Sequence, residues 1–535
     1  MVLVPTGLML FLGAWGIRRQ DAIWRDEAVT YDMAHRSLPD LGATLLHADV
    51  VHGLYYALMH CWFAVYDATL DATLGAVIGL RLPSVVAMTA AAAGVALLGQ
   101  RLVGPRAGLC AGLTFALIPV VQQYAQEGRS YAMVCALVVW ASYLLVLAAR
   151  PSPDLPRALH SSPTLNSVRA GGPPGAGETP IPSTAPPPDS VRGDPHRGGT
   201  SRSRSRRALW WGYTTLLLLA CLLHEFASLA LPAHGAAVVL ARLPRRVRRA
   251  WLLAAGTVLA ALAPIAVFST RQSAQISWLM WPDPLQLLTF AVLAVLGVLC
   301  ARVPVRSRGP IGLRALGIPL LLLPTVLLLL LSNVEPAYVD RYVLYYVVGF
   351  ALVAGAASAR LLRPAGAAGQ TRGRRLRRLA AVALVLVALL PVDVHLRSPD
   401  SRVDDVTAVA QAVRQLSEPG DGLLFTPSRR RIWRATRPHD FRGLHDLALD
   451  KSPVASHTLY GTERSGDEIR DRMLASRRIV VAGDPAGQPA DASDQEIAKR
   501  ATLRSAFAVC RSTEVRGARI TLYVRVGGPD GGGRC

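Results

Sequence analysis

Eleven long apolar runs occupy the first 396 residues, and they limit what this chain can fold into more than any other feature. They lie at 2–17, 82–100, 104–121, 131–149, 208–223, 225–241, 250–269, 285–301, 315–332, 343–361 and 379–396. A helix needs roughly 20 apolar residues to cross about 30 Å of hydrocarbon, so repeated runs of this kind predict a polytopic, mainly α membrane protein. Composition agrees: 51% of the 535 residues are hydrophobic, 18% are charged, and the mean hydropathy is +0.31. The seven cysteines lack metal-type spacing such as C-x-x-C. A zinc ribbon, a disulfide scaffold and a simple cytosolic enzyme are excluded. The first run lacks a basic leading region and an A-x-A site, and reads as a span rather than a cleaved signal.

Charge sets the expected topology. With the N-terminus inside, the segments 101–106, 150–207, 242–250, 302–314 and 360–378 face the cytoplasm and hold 27 arginines. The opposite-side segments 18–73, 122–130, 271–284 and 333–342 hold 7. That asymmetry follows the positive-inside rule and places everything after residue 396 outside. A single bent helix through His224 is the alternative. It would put the arginine clusters after residue 242 on the wrong side. The net charge of +22 is therefore mostly a topology signal, and nucleic acid is not an expected partner. Of 58 basic residues only Lys451 and Lys499 are lysines. With abundant Ala, Gly and Pro, this bias suggests a GC-rich bacterial genome.

The sequence divides into four parts. Residues 1–149 form an N-terminal membrane part with a long first outer loop at 18–73. Residues 150–207, rich in Pro, Gly, Ser and Arg, cannot bury enough apolar surface to offset their chain entropy and read as a disordered cytoplasmic loop. Residues 208–396 form a second membrane part. Residues 397–535 carry 23 Lys+Arg and 18 Asp+Glu. Their amphipathic run 404–416 and β-like runs 422–426, 478–483 and 518–526 predict a small extracytoplasmic α/β domain. Cys510 and Cys535 are candidates to pair there. Cys110, Cys135, Cys221 and Cys300 fall in spans and read as small apolar fillers.

The first outer loop reads W-R-D-E-A-V-T-Y-D-M-A at 24–34 and L-H-A-D-V-V-H-G-L-Y-Y-A-L-M-H-C-W-F at 46–63. Ala28, Tyr31 and Ala34 share one stripe, and Leu54, Leu58, Cys61 and Trp62 another. Two amphipathic helices in the interface plane are expected. Asp26 and Glu27 open the first. A bland reading makes Asp26 the helix cap with Glu27 beside the dipole.

These features resemble the GT-C glycosyltransferases, and among them the bacterial protein O-mannosyltransferase and aminoarabinose-transferase-like branch. The carrying motifs are the exterior Asp26-Glu27 pair, L-R-L-P-S at 80–84, Q-E-G-R-S-Y-A at 126–132 and R-Y at 341–342. The sequence departs from the family at His52-Gly53-Leu54-Tyr55-Tyr56, where a proline is usual, and has no proline within 343–361.

The resemblance implies a polyprenyl-phosphate sugar as donor, with mannose the expected sugar. It implies an acceptor hydroxyl on a protein or cell-envelope glycan outside the plasma membrane. Asp26 is then the expected base, with Glu27 orienting it, binding acceptor or helping to bind a divalent cation. Arg129 and Arg341 are the expected phosphate ligands, since both are rare outside arginines and a guanidinium grips phosphate bidentately. Headgroup snorkelling is the bland reading for each. Tyr131 and Tyr342 follow them closely. His52, Tyr55, Glu127, His224 and Glu225 fall in the substrate or metal vicinity, although no ligand spacing defines a metal site. The rival reading is a multispan transporter or flippase of lipid-linked sugars. That class favours ionisable residues in mid-span and internal repeats, neither of which is evident here.

Overall fold

The computed structural model describes residues 1–150, 195–272, 284–334, 336–362 and 372–526. Most of the loop at 150–207 lies outside the described residues, as does Cys535 and with it the expected Cys510 pairing. Each apolar run becomes helix. The first is α1 (Leu3–Ala14), and the segment 18–73 contains α2 (Arg25–Ala34), α3 (Leu38–Leu45), α4 (Gly53–Thr69) and α5 (Asp71–Leu74). Then come α6 (Ala76–Leu102), α7 (Pro105–Leu117), α8 (Pro119–Ala125), α9 (Tyr131–Ala148), α10 (Pro195–Leu223) and α11 (Ala230–Leu240). The remaining membrane helices are α12 (Arg245–Ser269), α13 (Pro284–Arg302), α14 (Leu313–Leu331), α15 (Tyr346–Leu361) and α16 (Arg372–Leu396).

Five of these are long and apolar enough to cross a membrane, namely α6, α9, α12, α13 and α14. The pair α7–α8 makes a sixth, bent by 67°. Its bend follows from Pro119, which cannot donate into the preceding turn, so Ile118 turns extended at ψ 120°. The runs at 225–241, 343–361 and 379–396 give shorter apolar helices. The chain also breaks at His224, whose backbone is extended between α10 and a 3-10 turn (Glu225–Leu229).

Helices approach closely where small residues face each other. A Cβ on Gly355 of α15 would lie 2.3 Å from the backbone of Ala111 on α7, so only glycine fits that crossing. Pro83 inside α6 frees the Gly79 carbonyl from its intrahelical donor. The Trp62 indole of α4 donates to that carbonyl at 2.8 Å, tying the segment 18–73 to α6.

The α4 stripe differs from the expected one. Tyr55, Tyr56, Met59, Phe63 and Tyr66 are buried, whereas Leu58 and Cys61 are exposed. Helix α4 is apolar on both sides, so periodicity alone could not say which face meets protein. Its N-terminal boundary also moves, because residues 46–52 form a turn and a 3-10 segment before Gly53.

The C-terminal domain is a three-layer α/β unit. Strands β1 (Gly422–Thr426), β2 (His445–Asp446), β5 (Arg478–Gly483), β6 (Phe507–Val515) and β7 (Ala518–Arg525) form a sheet of order β2-β1-β5-β7-β6. Strand β1 runs parallel to β2 and β5, while β7 is antiparallel to β5 and β6. Strands β3 (Leu449–Lys451) and β4 (Thr462–Glu463) pair separately. Alternate residues point to opposite faces. Leu423, Phe425, Val480 and Ala482 pack with α17 (Val406–Leu416), in a core continuous with the membrane part. Leu424, Ile479 and Val481 face the side of α18 (Gly466–Ala475) and α19 (Asp494–Ala506).

Candidate active site

The Asp26–Glu27 pair is divided by the helix that carries it. Residue Trp24 is the N-cap of α2, so Asp26 and Glu27 occupy its second and third positions and point different ways. Glu27 is fully buried and receives Arg81 Nε on Oε1 at 2.8 Å and Nη2 on Oε2 at 2.7 Å. The Gly128 amide adds a bond at 3.0 Å, and the Arg19 guanidinium lies 3.9 Å away. Burial alone would raise this carboxyl; Arg81, with Arg19 and the Gly128 amide, outweighs it and holds the group at about 2.

Asp26 faces the other way and is partly open, with 20% of its side chain exposed. Arg25 Nε lies 3.6 Å from one carboxylate oxygen and Arg341 Nη2 3.8 Å from the other. Both are ion-pair distances beyond hydrogen-bond length. The bland reading of Asp26 as a cap is corrected here. The first amide of α2, on Arg25, is capped by Asp404 from the C-terminal domain at 2.9 Å.

The motif arginines and tyrosines surround Asp26. Arg341 donates from Nε to the Tyr131 hydroxyl at 3.2 Å and sits over the rings of Trp24, Tyr131 and Tyr342. Tyr342 stacks on Phe226 and lies 4.5 Å from the His224 ring. His224 in turn contacts Tyr131 and His52 at ring distances of 5.7 and 5.6 Å.

Arg129 is buried and donates to Tyr56 OH at 3.3 Å, to Thr30 Oγ1 at 3.4 Å and to His52 Nε2 at 3.0 Å. Arginine only donates, so His52 carries its proton on Nδ1 and gives it to Asp49 Oδ1 at 2.7 Å. Tyr56 donates a short bond to the same carboxylate. Burial would raise the Asp49 carboxyl, but His52, Arg129 and the Tyr56 hydroxyl hold it well below the usual carboxylate range.

Not every expected residue joins this cluster. Glu127 turns to Arg402 at 2.8 Å, and burial raises its carboxyl despite Arg402 and Arg19 nearby. Glu225 accepts from Ser269 at 3.1 Å. Tyr55 is buried, and its hydroxyl has no hydrogen-bond partner among the described residues. Among those residues no three His, Cys, Asp or Glu side chains come together to hold a metal ion.

Several residues essential to this geometry carry no role in the sequence reading. Arg81 and Ser84 lie within the L-R-L-P-S motif. Arg81 clamps the first outer loop, and the Ser84 hydroxyl donates to the carbonyls of Glu127 and Arg129 on the second at 2.6 and 3.3 Å. Gln126 donates to the carbonyls of Gly13 and Trp15, closing the C-terminal end of α1 at 3.0 and 2.7 Å. Motif membership was the available signal for these three. Tyr56 sits in the H-G-L-Y-Y element at 52–56 and Asp49 beside His52 in the same loop, whereas Phe226 and Asp404 carry no motif signal.

The cluster can hold an anion near Arg341 and Arg129 and present an open carboxylate beside it. No protein-family model matches this chain, and no curated protein sequence does. Solved structures share its fold, two of them of one enzyme. ArnT from Cupriavidus metallidurans in the apo state aligns with a TM-score of 0.52 at 12% identity, covering 97% of each chain. The same enzyme bound to undecaprenyl phosphate aligns with a TM-score of 0.54 at 12% identity, again over 97% of each chain. At 12% identity these likenesses show the fold, and the expected mainly α membrane architecture with a C-terminal α/β domain is the one the chain adopts.

Proposed function

We propose that this chain is a GT-C glycosyltransferase that transfers a sugar from a polyprenyl-phosphate donor to an acceptor hydroxyl. The observation that carries this reading is the open Asp26 carboxylate between Arg25 and Arg341, on a fold shared with an ArnT structure that holds undecaprenyl phosphate. Asp26 takes the proton of the acceptor hydroxyl as its oxygen bonds to the sugar's anomeric carbon. The bond from that carbon to the phosphate oxygen breaks, and its electron pair leaves with the polyprenyl phosphate. Arg341 and Arg129 neutralise that phosphate, and Tyr131, Tyr342 and His224 wall the site. Glu27, saturated by Arg81, holds α2 in place.

Mannose is the sugar we favour, from the motif resemblance, with a protein or cell-envelope glycan as acceptor. We place the enzyme in a bacterial plasma membrane with eleven crossings, its site and C-terminal domain outside. The 27-to-7 arginine asymmetry supports that orientation. A reporter fused after residue 400 should be active only outside the cytoplasm.

The decisive experiment supplies purified protein with polyprenyl-phosphate mannose and an envelope acceptor. Release of polyprenyl phosphate with sugar on the acceptor supports the assignment. Movement of the intact lipid across a vesicle without cleavage would favour a flippase. Cleavage only with another sugar would retain the reaction class and replace mannose.

A further inference from the structure

Residues 402–407 connect the last membrane helix to the α/β domain and touch both outer loops of the site. Arg402 pairs with Glu127 on the second loop at 2.8 Å. The Val406 amide donates to the Ile23 carbonyl at 2.7 Å, and the Thr407 hydroxyl to the Asp21 carbonyl at 2.8 Å, both on the first loop. Between them, Asp404 is buried and accepts the Arg25 amide at 2.9 Å, with Arg430 Nη1 3.6 Å from its other oxygen.

The need for this contact follows from helix chemistry. The first four amides of a helix lack intrahelical partners. The indole of Trp24, the N-cap of α2, carries no oxygen to accept them. Asp404 accepts one, and it places a carboxylate at the positive end of the helix. The adjacent Asp405 does the same for its own helix, accepting from the Thr407 and Ala408 amides at 2.9 and 3.1 Å. Two consecutive carboxylates thus cap two helices that belong to different parts of the chain.

Asp404 is also buttressed from behind. The Asp405 amide donates to the Arg516 carbonyl at 3.1 Å, and Arg516 Nε donates to the Arg402 carbonyl at 2.7 Å. Gly517, at φ +75°, lies so close that a Cβ there would sit 2.4 Å from the Asp404 Cβ. The β6–β7 turn therefore fixes where Asp404 stands.

We infer that Asp404 is a positioning residue for the transfer reaction, capping α2 from the C-terminal domain so that Asp26 meets the acceptor in register. The inference rests on the proposed role of Asp26, which is the residue after the capped amide. A shift of the first turn moves its carboxylate against Arg25 and Arg341, and displacements near 1 Å can cost about 10²-fold in rate.

The test uses the full chain in detergent with a polyprenyl-phosphate sugar. Asp404→Ala removes the cap, while Asp404→Asn keeps it, because Asn caps about as well as Asp. The alanine variant should lose about tenfold or more in kcat, with donor KM changed less than about twofold. The asparagine variant should recover most of that loss. Hydrogen exchange at residues 24–27 should quicken in the alanine variant alone, with α9 unchanged. Parental kcat and exchange in Asp404→Ala would overturn the inference, and so would an asparagine variant as slow as alanine. If Asp404→Ala fails to insert, Gly517→Ala carries the test: it should slow kcat and quicken the same exchange, and parental values would overturn the inference. A parent inactive on every polyprenyl-phosphate sugar removes the functional reading instead, and exchange then decides the role of the cap by itself.

Discussion

Glu27 and Arg81, 54 positions apart, meet in a two-pronged ion pair with 0% of either side chain exposed. The pair joins α2 to the start of α6. Arg81 also donates to the carbonyls of Ile17 and Ala22 at 2.7 and 2.6 Å, so one guanidinium gathers the segment after α1 against α2.

Removing one partner of a buried pair leaves an uncompensated charge, which typically costs about 3–5 kcal/mol. Glu27→Gln should therefore lower thermal stability in detergent by about that amount, by stranding Arg81. An unchanged melting midpoint with abolished turnover would instead assign Glu27 to the chemistry and exchange its role with that of Asp26.

The two buried glutamates respond to pH in opposite directions. Glu27 falls from 4.5 to about 2 on folding, so its contribution is complete above pH 4.5 and is lost as pH drops towards 2. Glu127 is raised above 4.5 by burial, against Arg402, Arg19 and Arg341 and alongside Glu27. Its folded form binds a proton more tightly than its unfolded form, so it destabilises the fold at high pH, and that cost is relieved on acidification towards 4.5. The difference in melting midpoint between parent and Glu127→Gln should change across mildly acidic pH and flatten above it. A pH-independent difference would contradict the raised value.

Much of this arrangement was legible in the sequence, and the remainder was hidden for physical reasons. Strands β1 and β5 match the runs at 422–426 and 478–483 because buried parallel strands are continuously apolar. Strand β6 was not anticipated, because it lies at the sheet edge and most of its residues are exposed, leaving no apolar signal. Within the site, Asp26, Arg129, Tyr131, Arg341 and Tyr342 belong to motifs and converge. The Arg129–His52 contact, the Asp404 cap and the Glu127–Arg402 pair join residues far apart in the chain, and local patterning carries no such information.

Arg341 and Arg129 should differ when replaced by lysine. Arg341 is 17% exposed, stacks among three aromatic rings and holds Tyr131 through Nε, a bond that lysine cannot reproduce with the same planar geometry. Hydrogen bonds to charged groups contribute about 1.5–3 kcal/mol, so Arg341→Lys should raise donor KM by roughly tenfold or more. Arg129→Lys should raise it too, and should also lower stability, because His52, Tyr56 and Thr30 lose a buried donor. Donor KM unchanged in both variants would place the phosphate elsewhere.

Asp26→Asn separates chemistry from architecture. The substitution preserves the side-chain shape and removes the charge and, with it, the basicity that takes up a proton. Asp26 caps no backbone amide, since Asp404 serves Arg25, so the fold has little reason to change. Its ion pairs, at 3.6 and 3.8 Å and partly exposed, contribute little to stability, about 0–1 kcal/mol for such pairs. Insertion and melting should therefore match the parent. Turnover should fall by roughly 10²–10⁴, the usual worth of a general base. Donor KM should change little, because Arg129 and Arg341 remain, or should fall slightly as a negative charge leaves the neighbourhood of the phosphate. Parental turnover in Asp26→Asn would remove this carboxylate from the reaction and return attention to Asp49, which accepts from His52 and Tyr56 beside the cluster.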